Sequence, residues 1–291
     1  MSSLAGEIMA LACAVCWAAA VLLFRRIGPV DPRALNLFKN VLASLLLMAT
    51  MAVTGEGFAT QRSAEDWIRL IGSGVLGLTI ADTLFFAGLQ RVGASVAAVT
   101  DCTYSPTVLV LSSLLLGESM RQGLLWGAPL VVVGLLLVAW QTPGKGVQVD
   151  RGGVLLCVGG VLTTAVAVVV AKPALNRSDL VEATTVRLLA GAVALVIWDG
   201  AAGTLKRGLS LLRPQPLWRV AIPATVVGTY LSMLLWLGGI KYTTASRAAL
   251  LNQMGMVFAM GLAWASGEAI PKRRWAGAAL AMTGVLVVLT W

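Results

Sequence analysis

The chain has no histidine, which removes the commonest transition-metal ligand and the usual proton shuttle near neutral pH. Its four cysteines, Cys13, Cys16, Cys102 and Cys157, all sit inside apolar runs and lack the spacing of a disulfide framework. Cys13 and Cys16 have the separation of a redox pair, but on a membrane helix they read as small packing residues. Charge is scarce as well: 12% of residues are Asp, Glu, Lys or Arg, against roughly a quarter in soluble domains. No Gly-x-x-x-x-Gly-Lys-Ser/Thr stretch occurs, so nothing marks an ATP-driven pump, and no motif calls for a cofactor.

What is abundant is apolar surface. With 58% hydrophobic residues and a mean hydropathy of +0.86, the chain reads as an all-α, polytopic integral membrane protein. Its formal net charge of +9 would suggest nucleic acid in a soluble protein. Here Arg and Lys lie mainly between apolar runs, where membrane lipid already accounts for them, and nucleic acid is excluded as a partner. The first apolar run lacks a basic leader and continues too far for a cleaved signal, so it is expected to remain as a span.

The chain is written twice. Gly88-Leu-Gln-Arg-Val-Gly-Ala-Ser95 matches Gly239-Ile-Lys-Tyr-Thr-Thr-Ala-Ser246, while Gly117-Glu118, Gly127 and Gly134 match Gly267-Glu268, Gly277 and Gly284. Upstream, Asp31, Lys39, Trp67 and Gly77 fall on Asp179, Arg187, Trp218 and Gly228. This tandem duplication divides the chain into repeats at 1–141 and 150–291.

A span needs about 20 apolar residues. Such windows fall near 4–24, 34–53, 67–88, 94–116 and 123–140, then 153–171, 181–198, 218–238, 245–265 and 275–290. Short linkers rich in turn residues separate them, such as Gly28-Pro-Val-Asp-Pro32, Gly55-Glu-Gly57 and Thr142-Pro-Gly144. Tryptophans at span ends, among them Trp126, Trp140, Trp198 and Trp275, suit interfacial anchoring. Five spans per repeat is an odd number, so the second repeat must enter the membrane from the opposite side. The expected architecture is ten transmembrane helices in two inverted repeats, with a crevice between them that rocking opens to either side. One chain supplies both halves, so a monomer suffices. The loops on the far side from the N-terminus hold more Arg and Lys than those on the near side, which by itself places the N-terminus outside.

Ionisable groups inside spans are costly and count as functional candidates. Asp82 in the third span has the chemistry of a coupling-proton carrier, a contact for a substrate amine, or a counter-ion for Lys39 or Arg91. Asp101 lies in the fourth span with Pro106 shortly after it, and a proline there frees a carbonyl and bends the helix into a hinge or binding wall. Lys39 and Arg187 occupy equivalent positions, either facing the crevice or snorkelling to the interface. Trp17, Phe86, Tyr104, Tyr230, Trp236, Asn252 and Gln253 are mid-span residues of the kinds that line polar cavities. For each aromatic alone, packing is the simpler role; two adjacent amides, Asn252 and Gln253, need buried partners and align with Asp101 and Cys102. A membrane-embedded enzyme could use Asp82 and Asp101 as paired carboxylates, but without histidine or a nucleophile site the case for it is thin. The glutamate of Gly117-Glu118 reads as a structural tie at a helix end.

Trp17, basic residues at 39 and 187, Pro106, and Gly-Glu pairs before glycine-rich fifth and tenth spans together resemble the EamA-type drug/metabolite transporter superfamily over nearly the whole chain. The resemblance implies a basket with spans one to four and six to nine around a central cavity and spans five and ten at its edge. It further implies an inner-membrane secondary transporter exporting amino acids or other small metabolites, with both termini cytoplasmic, contrary to the charge distribution. In size and in its aromatic cavity candidates the chain resembles the exporters of aromatic amino acids within that superfamily; lipid-linked or drug-like substrates are the alternative. Lys39 stands where arginine is common, and Thr164 where a second tryptophan is expected.

Overall fold

Asp31 and Asp179, one in each repeat, start a helix in the same way. Asp31 Oδ1 accepts from the amides of Arg33 (2.8 Å) and Ala34 (3.3 Å), and Asp179 Oδ1 from those of Val181 (2.7 Å) and Glu182 (3.2 Å). Each thereby satisfies amide donors that a helix start leaves open. The structure, a computed structural model, describes residues 3–27, 30–55, 57–59, 61–119, 122–139, 150–265, 267 and 270–290. Gly28, Pro29, Glu56, Trp140, Thr142 to Gly144 and Glu268 lie outside the described residues.

Every described element is helical. The first repeat contains α1 (Ser3–Ile27), α2 (Pro32–Thr54), α3 (Ala64–Gly74), α4 (Asp82–Asp101), α5 (Tyr104–Leu116) and α6 (Gln122–Ala139). The second contains α7 (Arg151–Arg177), α8 (Leu180–Ala201), the short α9 (Leu205–Gly208), α10 (Trp218–Thr225), α11 (Ser232–Tyr242), α12 (Ala245–Asn252), α13 (Gly255–Ala265) and α14 (Lys272–Thr290). A π-helical turn, Val75–Ala81, joins α3 to α4, and another, Val226–Leu231, joins α10 to α11. Among the described residues, six stretches are long and apolar enough to cross a membrane: Ser3–Ala20, Arg33–Thr54, Ala64–Leu89, Arg151–Arg177, Leu180–Ala201 and Trp218–Tyr242.

Lipid is as apolar as leucine, so close backbone approach and hydrogen bonds hold such helices together. The α6–α14 contact is the clearest case. A methyl on Gly127 would lie 2.6 Å from the Gly284 carbonyl oxygen, and one on Gly134 would lie 2.6 Å from that of Gly277. Gly127 and Gly277 are equivalent, as are Gly134 and Gly284, so the two helices run antiparallel and exchange matching residues. The same exchange recurs where Gly88 of α4 lies against Cys157 of α7 and Gly239 of α11 against Ala10 of α1.

Ion pairs fix two ends of the bundle. At the proximal end, where α1 starts, Glu7 meets Arg247 (2.7 Å), Arg62 meets Glu182 (2.6 Å) and Asp66 meets Arg177 (2.5 Å). At the distal end, Arg33 meets Asp199 (3.1 Å) and Arg207 meets Asp31.

Candidate functional site

The fourth expected span of each repeat is interrupted at the same place. Between α4 and α5 the chain turns at Cys102 and Thr103, and between α12 and α13 at Gln253 and Met254. The two breaks interlock: Gln253 Nε2 donates to the Asp101 carbonyl (2.5 Å) and Ser105 Oγ to Gln253 Oε1 (3.1 Å). Unwound backbone of this kind is tolerated in a membrane only where protein or a polar cavity satisfies it. Pro106 sits in the first turn of α5, past the break, where its missing amide proton costs little. The second repeat breaks without a proline, so the turn belongs to the duplicated architecture and Pro106 merely follows it.

Around these breaks several polar atoms lack partners. Arg187 on α8 is 1% exposed. Its Nη1 donates to Ser73 Oγ at 2.7 Å, its Nε has no acceptor, and no carboxylate of the described residues pairs with it. The guanidinium lies 5.9 Å from the centre of the Trp236 ring. Trp236 Nε1 approaches the Tyr104 hydroxyl without completing a hydrogen bond, and both atoms are buried and unsatisfied. Tyr104 is within electrostatic reach of both Asp101 and Arg187. The Asp101 carboxylate makes no hydrogen bond or ion pair among the described residues, and Asn252 Oδ1 is buried without a donor. An unpaired cation, an unpaired acid and three idle polar groups thus surround the breaks. Isolated buried charges are expensive, so this arrangement stores binding capacity rather than stability.

The other pair of candidate charges is spent on itself. Lys39 Nζ lies 2.9 Å from Asp82 Oδ2, with Phe86 beneath it at 5.5 Å. Lys39 lies about two turns into α2, and the pair sits beside a pocket of about 210 Å³ lined by Asp31, Arg33, Asn36, Thr83, Phe86, Ala87 and Arg207. Tyr230 shares a 2.8 Å hydrogen bond with Thr50 and packs against the cluster of Ala43, Leu47, Leu78 and Leu188, a tie between repeats. At about 100° per residue, Trp17 falls on the same side of α1 as buried Cys13, Ala14 and Ala20, opposite exposed Leu4, Ile8 and Val15. Its ring is still 45% exposed, so the open space it meets lies on the inner side of α1.

The proximal end is bolted shut by groups the sequence only partly announced. Glu118 caps α12, accepting from the amides of Ala245 (2.8 Å) and Ser246 (3.3 Å) and from Ser246 Oγ (2.9 Å). Gly117, at φ +65, makes the left-handed turn that brings Glu118 there. Lys172 donates to the carbonyls of Ile240 (2.5 Å) and Thr243 (2.6 Å) and lies 3.7 Å from Glu118. Lys241 donates to the Ser178 carbonyl, and Ser112 and Ser246 share a 2.6 Å bond. Ser73 and Lys172 carry no sequence signal of such a role: Lys172 falls just past the sixth expected span, at 153–171, where a basic residue reads as an ordinary loop charge.

Duplicated membrane helices, interlocked breaks and a partly open interior define a multi-pass membrane transporter. The chain belongs to the EamA-like transporter family, whose model matches residues 4–140 and again 151–290. It is similar to the protein described as "Uncharacterized transporter YyaM" of Bacillus subtilis (strain 168), with 24% identity over 271 residues, 89% of this chain and 85% of that protein. An "Uncharacterized transporter" of Archaeoglobus fulgidus is 24% identical over 183 residues, 62% of this chain and 64% of that protein. A solved crystal structure shares the fold, with a TM-score of 0.79 at 16% identity over 97% of this chain and 96% of that one.

Proposed function

We propose that this protein is a secondary transporter that exports a small zwitterionic metabolite, an amino acid in the first instance, across the bacterial inner membrane by alternating access. The observation that carries the reading is Arg187: a buried guanidinium with no carboxylate partner is a site prepared for one. Asp101, which like Arg187 is within electrostatic reach of Tyr104, offers the opposite charge to an amine, and Trp17 and Trp236 offer apolar surface to a side chain. The self-paired Lys39 and Asp82 serve as a charged gate beside the distal pocket. The reciprocal α6–α14 and α4–α7/α1–α11 contacts support ten spans in two inverted repeats, the arrangement in which rocking exposes one site to each side in turn. The two interlocked breaks serve as hinges, with Pro106 stiffening the start of α5.

Counterflow in proteoliposomes tests this directly. Vesicles loaded with unlabelled neutral or aromatic amino acids should accumulate label, and Arg187→Met and Asp101→Asn should each abolish the signal while remaining folded. Silence across the amino-acid panel with folded protein would refute the substrate class and bring lipid-linked or drug-like molecules forward. Normal transport by both variants would refute the site.

A further inference from the structure

Three hydrogen-bond donors beside the helix breaks have nothing to donate to. Arg187 Nε, Trp236 Nε1 and the Tyr104 hydroxyl are buried without a partner among the described residues. They come from α8, α11 and the first residue of α5, and they lie together: the guanidinium is 5.9 Å from the centre of the Trp236 ring, and Trp236 Nε1 approaches the Tyr104 hydroxyl. A guanidinium and an indole N–H can only donate, so neither serves as the other's hydrogen-bond acceptor. Ser73 Oγ takes Arg187 Nη1 (2.7 Å) and donates onward to the Leu70 carbonyl (2.9 Å). That bond holds the guanidinium and leaves Nε free. Asn252 Oδ1 is an idle acceptor near the breaks, and none of the three donors reaches it.

A buried donor without an acceptor costs stability, so a cluster of three is out of place in a packed core. What satisfies all three at once is one negatively charged group with several lone pairs. A carboxylate fits, with two oxygens, about four lone-pair sites and a single charge opposite Arg187. Two relatives of the carboxylate fit badly. A carboxamide keeps one oxygen and turns its own N–H groups toward donors, leaving at least one of them unpaired. A phosphate monoester brings a second negative charge, while Asp101 lies within electrostatic reach of Tyr104, and Lys39, the cation equivalent to Arg187, is already paired with Asp82.

We propose that Arg187, Trp236 and Tyr104 form a three-donor clamp for a single carboxylate, in which the indole N–H and the phenol hydroxyl select a carboxylate over a carboxamide or a phosphate. The clamp rests on the reading of Arg187 as the partner of the substrate carboxylate and goes further, because it gives the edge of Trp236 a polar task beside the apolar one of its face. Ser73 is a positioning residue for it. Tyr104 directly follows the break at Cys102 and Thr103, so movement at that break carries one of the three donors away and weakens the hold on the anion.

Isothermal titration calorimetry on the full chain in detergent tests it, with propionate, isocaproate and hydrocinnamate as probes, each beside its own amide, and phenyl phosphate at mildly alkaline pH. At least one acid should bind about 100-fold more tightly than its amide, and phenyl phosphate should bind at least about tenfold more weakly than the best acid. Trp236→Phe and Tyr104→Phe each keep a ring and remove its donor. Each should lower the acid-to-amide preference by about tenfold, whereas Tyr230→Phe, whose hydroxyl already meets Thr50, should leave it unchanged. A packing loss alone weakens acid and amide alike and does not move the preference. The proposal is overturned if no acid binds, if an amide or the phosphate binds as well as the best acid, or if the preference survives both substitutions. The probes lack an amine, so the result separates from that of the transport reading. Acid binding that needs the donors, without counterflow of any amino acid, keeps the clamp and removes the zwitterion; counterflow without a preference for the acid does the reverse.

Discussion

Arg187→Met removes the guanidinium and keeps a side chain of similar length in the space between α8, Ser73 and Trp236. The interactions lost are one hydrogen bond from a charged donor, about 1.5–3 kcal/mol, and a cation–π contact, about 0.5–2 kcal/mol. Against them stands the burial of a cation that is 1% exposed and has no carboxylate, a penalty of several kcal/mol even after relaxation. The penalty is the larger, and replacing buried ionic groups by apolar ones of similar volume commonly stabilises. We expect Arg187→Met to gain about 2 kcal/mol, which in a chain of this size raises Tm by about 4–8 °C. Tryptophan fluorescence during heating of both proteins in one detergent gives the shift. Counterflow on the same preparations should fall by about 100-fold, the loss expected when one partner of a buried charge pair is truncated. A variant that melts several degrees lower would refute the reasoning, because the guanidinium would then be holding the fold together.

Glu118→Ala removes the cap on α12 and leaves Lys172 with carbonyl partners alone; we expect a loss of about 2–4 kcal/mol and a lower folded yield, with Glu118→Gln losing about half as much. Both are read by thermal melting and size-exclusion chromatography. A double-mutant cycle with Lys39→Met and Asp82→Asn should show a coupling of about 1–3 kcal/mol, the double variant recovering part of each single loss; additive effects would mean the pair does not interact. Gly134→Leu drives a side chain into the backbone of Gly277 and Ala281 and should cost about 3 kcal/mol. Gly72→Leu, which meets nothing within 4 Å, should stay within about 0.5 kcal/mol on the same melting assay.

The duplication and the membrane class were legible because composition and spacing carry them directly. Lys39 and Asp82 were legible as a possible pair, since both had to sit in spans and few charges were present to match. Which acid would remain free was not: Asp82 and Asp101 look alike along the chain, and only the packing of α2 on α4 gives one of them a lysine. The helix breaks were hidden for a related reason. Cys102 and Met254 continue an apolar run, and neither glycine nor proline marks the turn at both sites. Pro106 pointed close to the first break and suggested a cause that the second repeat does not share. Arg187 was found by its equivalence to Lys39, while its partner Ser73 lies 114 positions away in the other repeat, and such contacts have no local signature. Tyr230 shows the opposite limit: a mid-span aromatic with a polar tip looks like a cavity residue until its hydroxyl is seen to meet Thr50.

The seam between α6 and α14 also sets an order of events during synthesis. Gly127 and Gly134 make their contacts with the last described helix of the chain, so the small-residue face of α6 must wait in the bilayer, covered only by lipid, until α14 has been made and inserted. Until α14 arrives the protein therefore carries an open helix face that a wrong partner could occupy, and α14 is the helix that closes it.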